Sequence, residues 1–555
     1  AVYTHYFAFF VLVFQGLYVL LVWWRKGFQP PRLILGGLGA GVLILLTYLP
    51  WLPHLVTRYG LDLSYWPGRL KLHEVSLDIV LSFVGGESVS EPVGLILSLG
   101  FGLVFVLCLA ALALRAPDVE QRERQGAPLT LPFLFLYLLV PPLLILVLSY
   151  LSPKFNARYA MLSQPALLLI LAGGMASLYQ RRSGYLRNLA AGSLSTLALA
   201  FLLGVSIYAN YHAYADPAFA RADFRSVARY LEKHVAPDET VVLISGHMYP
   251  VFDYYAPDVE RHLLPDSPTL DTTATLDYAI AQDLNEWLAG RGGVWVVRWQ
   301  DEVVDPVGYL QAMLDGVGQE QPVGRRFPQI EVDHYRLPQD AYFSPEPAIA
   351  YPAGVNFGNR LRLLGYDQSG TREVTVFWQA LQALDEDYRV SLVLRDTAGQ
   401  SWGRWDGRPA AYLYPTDRWR EGQVVFGRYE LAPLPGTPPG EYGLEVGVYT
   451  EAAPSGLDVL DEAGAPQGKR TMLGGVKLSV PATTAGQIQA PHPGRMEVGQ
   501  GLVLLGWDLD RYEAQPGDHA LLTLVWQVEA PPQGDYDLRL LLTDSAGREL
   551  EAGTV

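Results

Sequence analysis

Long apolar runs fill the first 215 residues, and short alternating ones dominate after residue 350, so hydrophobic patterning alone divides the chain. Six stretches are apolar over the length needed to cross a hydrocarbon core of about 30 Å, which takes about 20 helical residues. They run roughly from Tyr6 to Trp24, Leu33 to Trp51, Val93 to Leu114, Thr130 to Leu151, Tyr159 to Leu178 and Leu189 to Tyr208. Pro141-Pro142 in the fourth and Gly36, Gly37 and Gly39 in the second suit membrane helices, because neighbouring helices re-satisfy or pack against the interrupted backbone. Between the second and third runs, Leu72, Val75, Ile79, Val80 and Phe83 recur at helical spacing, with Lys71, His73, Glu74 and Asp78 on the other face. That spacing predicts a helix lying along the membrane surface.

Residues 219 to 340 alternate between two periods. "FRSVARYLEKHV", "TLDYAIAQDLNEWLAG" and "PVGYLQAMLDGV" read as amphipathic helices, "TVVLIS" and "GVWVVRW" as buried strands, and "QIEVDHYRL" as an edge strand. Such alternation predicts a small α/β domain. Beyond residue 350 the segment "LRLLGYDQ...VTVFWQA...YRVSLVLRDTAGQ" returns as "LVLLGWDL...LTLVWQV...YDLRLLLTDSAGR". Gly365 maps to Gly506, Trp378 to Trp526 and Gly399 to Gly547. Short alternating strands with turn signals between them predict two β-sandwich repeats. The second copy reaches Val555 before any counterpart of "PPGEYGLEVGVYT", so it is expected to be incomplete and the chain to be the C-terminal portion of a longer one.

The predicted fold class is therefore a polytopic α-helical membrane domain of about six spans, a small α/β domain and two β-sandwich repeats, the second incomplete. The expected domains cover residues 1–215, 216–345, 350–485 and 490–555.

Charge adds orientation. Residues 1–215 hold 14 Lys and Arg against 8 Asp and Glu, whereas the remainder hold 27 against 49. Arg25, Lys26 and Arg32, then Arg115, Arg122 and Arg124, then Arg181, Arg182 and Arg187 fall in loops on one side. The positive-inside rule makes that side cytoplasmic, and the acidic soluble half of this multi-pass cell-membrane protein extracytoplasmic. No basic nucleic-acid footprint is present in either half. The single cysteine, Cys108, excludes an intrachain disulfide and a thiolate metal cluster.

Candidate chemistry gathers at the outer lip of the spans: Tyr3, Thr4, His5 and Tyr6 before the first, Lys154, Asn156, Arg158 and Tyr159 before the fifth, and Tyr65-Trp66-Pro67-Gly68 between. Tyr, Trp, Lys and Arg also serve as interfacial anchors, so each residue singly reads equally well as an anchor. Together they put cationic and hydrogen-bonding groups at the depth of a lipid phosphate, which Arg clamps through two parallel bonds. Elsewhere the simpler structural readings prevail. His73-Glu74 has no second His one turn on, and Asp508 to Asp510 sits at a strand end. "ISGHMYP", with Ser245, Gly246 and His247, lacks a phosphate loop or nucleophile elbow and reads as a turn. Trp402, Trp405, Trp419, Tyr412 and Tyr414 suit a sandwich core better than a sugar platform.

Taken in order, "YTHYFAFFVLVFQGLYVLL", "YWPGRLKLHEV", "SPKFNARYAMLSQPALLLILAGG" and "DFRSVARYLEKHVAPDETVVL...FDYYAP" resemble the GT-C superfamily of integral-membrane glycosyltransferases, the group that includes protein O-mannosyltransferases, over about residues 1 to 340. The resemblance implies transfer of a sugar from a polyprenyl-phosphate donor to an extracytoplasmic acceptor, which is a glycan, lipid or protein. It also implies a general-base carboxylate, and a divalent metal where one is used, in a first outer loop expected upstream of residue 1. Asp62, Glu74 and Asp78 fall in a later loop and receive no such role. The donor-site candidates it leaves are His5 and Tyr6 beside the phosphate, Lys154 and Arg158 binding it, and Tyr159 supporting the rim. Two other classes compete: a non-catalytic membrane-anchored surface protein whose sandwiches bind carbohydrate or a partner, and a transporter half. The spans lack the central ionisable residues that mark transport paths, which disfavours the latter.

Overall fold

Six helices among the described residues are long and apolar enough to cross a membrane: Ala8–Arg25, Ile34–Leu55, Glu91–Ala113, Thr130–Leu151, Ala157–Tyr179 and Gly192–Ala215. They coincide with the six predicted runs to within about four residues, except that the last extends seven residues further, to Ala215. The computed structural model describes residues 3, 5–25, 27–28, 31–61, 71–114, 130–151, 155–179, 185–370, 372–434, 437, 439–478, 490–499, 501–511, 520, 522–530, 538–544 and 547–554. Two units are present, one of residues 1–275, 284–304 and 314–342, the other of residues 276–283, 305–313 and 343–555.

In the first unit the membrane helices are α1 (Ala8–Arg25), α2 (Pro31–Tyr48), α3 (Leu52–Leu61), α4 (Leu72–Val84), α5 (Glu91–Ala113), α6 (Thr130–Leu151), α7 (Gln164–Tyr179) and α8 (Tyr185–Ala215). Pro141 and Pro142 sit inside α6 without ending it. Outward side chains such as Ile96, Leu99, Leu151 and Ile207 are open on the surface, as a hydrocarbon solvent requires. Inside, Val104 and Cys108 of α5 pack with Leu167 and Leu171 of α7 and Ala198 of α8. Helix association in lipid relies on close backbone approach at small residues. Gly174 provides it, for a Cβ there would collide with the backbone of Cys108.

The 72–84 helix forms as predicted, but its apolar face is turned to protein. Val75 and Ile79 are buried with Ala160, against Phe83, Leu146 and Phe155, while Leu72 and Val80 stay exposed.

The α/β part contains α9 (Phe224–His234), β1 (Glu239–Ile244), α10 (Tyr249–Tyr255), β2 (Arg261–Leu264), α11 (Ile280–Trp287), β3 (Gly293–Arg298), α12 (Asp301–Val304), α13 (Tyr309–Val317), β4 (Gln319–Gln321) and β5 (Glu331–Arg336). The sheet order is β2-β1-β3-β5-β4, with β2, β1 and β3 parallel and β5 running antiparallel to both its neighbours, β3 and β4. The "QIEVDHYRL" strand, β5, is thus not the edge, because Gln319–Gln321 pairs outside it. From β1 the chain runs to β2 on one side and then to β3 on the other. The crevice at the carboxyl ends of β1 and β3 is therefore the topological switch point, where open α/β sheets bind ligands. At the amino end, Glu239 closes a network instead, accepting from Trp295 Nε1 and His334 Nε2 at 2.8 Å each and from the Ala236 N–H at 3.0 Å.

The second unit contains the β-repeats. In the first, β6 (Tyr351–Phe357), β7 (Leu361–Ser369), β8 (Glu373–Ala380), β9 (Arg389–Arg395), β10 (Ser401–Gly407), β11 (Val424–Glu430), β12 (Gly440–Tyr449), β13 (Val459–Leu460), β14 (Pro466–Gly468) and β15 (Arg470–Leu478) form two sheets. Their orders are β11-β8-β7-β6-β13-β14 and β10-β9-β12-β15. Trp378, Tyr414, Trp419 and Tyr429 fill the core between them, with Trp402 and Trp405 packed against it. Tyr412, by contrast, is 79% exposed. The second copy has β16 (His492–Val498), β17 (Leu502–Leu509) and β18 (Leu522–Val528) in one sheet and β19 (Arg539–Thr543) paired with β20 (Glu549–Thr554). The repeat extends to backbone detail. A Cβ at Gly365 would collide with the Tyr351 carbonyl, and one at Gly506 with the carbonyl of His492, the equivalent residue. Asp396 and Asp544 each close the same turn, accepting at 2.8 Å from the Gln400 N–H and at 2.9 Å from the Arg548 N–H.

The α5–α7 contact yields a paired test. Gly174→Ala is expected to cost about 1–3 kcal/mol through overpacking against Cys108. Gly173→Ala, whose Cβ would meet Leu112 Cδ1 at an ordinary 3.4 Å, should stay within about 0.5 kcal/mol. Unfolding midpoints in detergent check the contrast.

Candidate functional site

One cleft of about 750 Å³ joins the end of the membrane helices to the α/β part of the same unit. That volume lies in the range of roughly 300–1,000 Å³ typical of small-molecule sites. Its membrane wall begins where α4 ends. Gly85 and Gly86 turn the chain, and Gly86 adopts φ 68°, a left-handed conformation that glycine takes without steric cost. The turn presents Glu87 and Ser88, and Ser88 Oγ donates to the Ala209 carbonyl of α8 at 2.9 Å.

Opposite them, Asn156 caps the 3₁₀ turn of Ala157–Ser163 by accepting from the Arg158 N–H at 3.0 Å. That cap presents the Arg158 guanidinium to the Glu87 carboxylate. Nε donates to Oε1 at 2.9 Å and Nη2 to Oε2 at 3.3 Å, a forked pair whose partners are 67% and 65% exposed.

The other wall comes from the exit of α8 and the carboxyl edge of the sheet. His212 Nδ1 lies 2.7 Å from Asp216 Oδ2, and Asp216 Oδ1 accepts from the Ala218 N–H at 2.9 Å. The Ala218 N–H first and His212 second hold the Asp216 carboxyl below the usual carboxylate range. This cap starts the Pro217–Phe219 turn, and Asp223 then caps α9 through the Ser226 N–H at 3.1 Å. Phe219, Arg221 and Phe224 reach the cleft from this short segment. Arg221 has no hydrogen-bond or ion-pair partner among the described residues.

Trp299 enters directly after β3. Its indole is held by Phe224, edge-on at 4.9 Å between ring centroids, and by His247 at 5.4 Å. The strand ends beneath are locked, since Ser245 (φ 64°) donates through Oγ to the Gln300 carbonyl (φ 54°) at 3.1 Å. Burial pushes the His247 imidazole below the ordinary histidine range, so it is neutral at pH 7.

Of the predicted site residues, Arg158 lines the cleft. His5 and Tyr159 are brought together outside its lining: the two rings meet edge-on at 5.7 Å, and Phe7 packs on Tyr159 at 4.6 Å. His5 Nδ1 accepts from the Phe7 N–H at 3.3 Å. Tyr6 is exposed beside them. Lys154, Thr4 and Tyr65 to Gly68 lie outside the described residues. Sequence reasoning missed Glu87, Arg221 and the Phe219–Phe224–Trp299 wall. The available signals were an acidic residue after a Gly-Gly turn at the foot of a span and an Arg between the last span and the first soluble helix. Among the described residues, no group of three His, Cys, Asp or Glu side chains gathers to hold a metal ion.

The arrangement sets a forked Arg–carboxylate pair and a second arginine around a space with an aromatic wall. It can bind an anion and an apolar ring surface side by side. No protein-family model matches the chain, and no curated protein does. Among solved structures, the crystal structure of an endonuclease/exonuclease/phosphatase from Beutenbergia cavernae DSM 12333 aligns at 14% identity and a TM-score of 0.13. It covers 28% of this chain and 34% of that one. A likeness that slight carries no argument about fold or activity.

Two measurements follow from this geometry. Because the Arg158–Glu87 pair is exposed, Glu87→Gln is expected to change stability by less than about 1 kcal/mol in thermal unfolding, so any functional defect would belong to the cleft. For His247, whose folded pKa is depressed, the stabilisation is present above the ordinary histidine pKa and is lost as pH falls through the folded value. His247→Gln should therefore flatten the decline of the unfolding midpoint between about pH 7 and pH 5, a window set by the ordinary histidine pKa of about 6.5.

Proposed function

We propose that the chain is a membrane glycosyltransferase that moves a sugar from a polyprenyl-phosphate donor to an acceptor at the extracytoplasmic face. The observation that carries this reading is the cleft in which the Arg158–Glu87 pair of the membrane domain and the aromatic carboxyl edge of the α/β sheet share one space. A polyprenyl tail needs a bilayer, its phosphate needs cations at the bilayer surface, and the sugar beyond the phosphate needs a wall outside the lipid.

In this reading the donor phosphate replaces Glu87 on the Arg158 guanidinium, where two parallel N–H bonds suit a phosphate as well as a carboxylate. Arg221 adds a second positive charge. Transfer breaks the bond from the sugar C1 to the phosphate oxygen, which departs with the electron pair. A new bond forms from C1 to the acceptor oxygen. Arg158 and Arg221 stabilise the charge growing on the leaving phosphate, the kind of electrostatic help that counts most in catalysis. The acceptor proton passes to a general-base carboxylate of the kind the family resemblance implies. Lys154 would serve the same phosphate, with His5, Tyr6 and Tyr159 forming the rim along the lipid.

The test is transfer by the full chain in liposomes supplied with a polyprenyl-phosphate hexose. Arg158→Ala should lower turnover about 100-fold or more while the unfolding midpoint is kept, a loss typical of removing one preorganised charge donor. Unchanged transfer by a folded Arg158→Ala chain would refute the phosphate assignment.

A further inference from the structure

The α/β wall of the cleft has the chemistry of a saccharide site, distinct from the cationic membrane wall. Trp299 stands at the switch point of the sheet, at a position set by fold topology rather than by the membrane. Its indole is held on two sides by Phe224 and His247, and the backbone beneath is fixed by the Ser245–Gln300 bond. It is preorganised before any ligand arrives. Trp299 and Phe224 are only half-buried and pack at the margin of the α/β core, which leaves part of the indole open to the cleft.

We infer that Trp299, with Phe219 and Arg221, forms a binding subsite for a sugar ring of the acceptor, so that the acceptor is a saccharide. A pyranose has C–H faces that lie against aromatic planes and equatorial hydroxyls that bond to planar charged groups. Trp299 and Phe219 offer the first partner, and Arg221, Glu87 and Gln329 around the same space offer the second. A lipid acceptor fits less well, because the wall is broken by charged and amide groups. A peptide would require unpaired backbone groups to meet it, and no free strand edge lines the cleft among the described residues. The word acceptor rests on the transfer reading above; saccharide binding at Trp299 does not.

Donor-free binding tests the subsite. The detergent-solubilised full chain would be titrated with fluorescently labelled mannotriose, cellotriose and chitotriose. At least one trisaccharide is expected to bind, with affinity lowered at least tenfold by Trp299→Ala and less than threefold by Trp299→Phe. Phe219→Ala should weaken binding severalfold and guards against misfolding of the first variant. Tyr412→Ala, at the exposed aromatic of the first β-repeat, should leave the affinity unchanged. Failure of all three sugars to bind, or binding indifferent to both Trp299→Ala and Phe219→Ala, would overturn the subsite. Saccharide binding by an unmodified full chain that transfers no sugar in liposomes would instead sink the transferase reading and leave the subsite standing.

Discussion

The short tether between the last membrane span and the α/β part governs the site. Residues 216–223 carry the chain from α8 into α9, and both ends of that segment are closed by aspartate caps. Eight residues span at most roughly 28 Å when fully extended, and a helical turn shortens them further. The first soluble helix must therefore begin close to the end of the span. That proximity brings the carboxyl edge of β1 and β3 over the Gly85-Gly86 turn and the Arg158 loop, and the cleft is what remains between them.

The two edges of the α/β sheet divide their labour. The amino edge is closed: Glu239 is satisfied by Trp295, His334 and a backbone N–H. The carboxyl edge has two residues with left-handed backbones, a neutral half-buried histidine and an aromatic shelf. Local cost of that kind persists where surrounding structure over-determines it, and it concentrates at functional sites. The membrane wall has a matching economy. Its ion pair is too exposed to matter much to stability, so breaking it would cost the fold little.

Much of this architecture was legible in the sequence because it follows from local period. Apolar runs of span length marked the six membrane helices, alternating periods the α/β domain, and Gly365/Gly506 with Gly399/Gly547 the correspondence of the two repeats. The site was legible only in part. Arg158 was identified from its place at the foot of a span, and His5 and Tyr159 do meet. Glu87 was not, because its partner lies 71 residues away and nothing local marks an exposed carboxylate as paired. Trp299 was read as the tail of a strand, since only the sheet order shows that this strand end is the switch point. The amphipathic 72–84 helix was placed on the membrane surface because period gives the apolar face but not what covers it.

The most direct measurement is a cryo-electron-microscopy map of the full chain in a lipid nanodisc with a polyprenyl-phosphate hexose bound. Phosphate density within hydrogen-bond distance of the Arg158 guanidinium, with the hexose inside the same cleft, is the predicted result. A headgroup bound elsewhere, with Arg158 still forked onto Glu87, would contradict the assignment of this cleft as the site of sugar transfer.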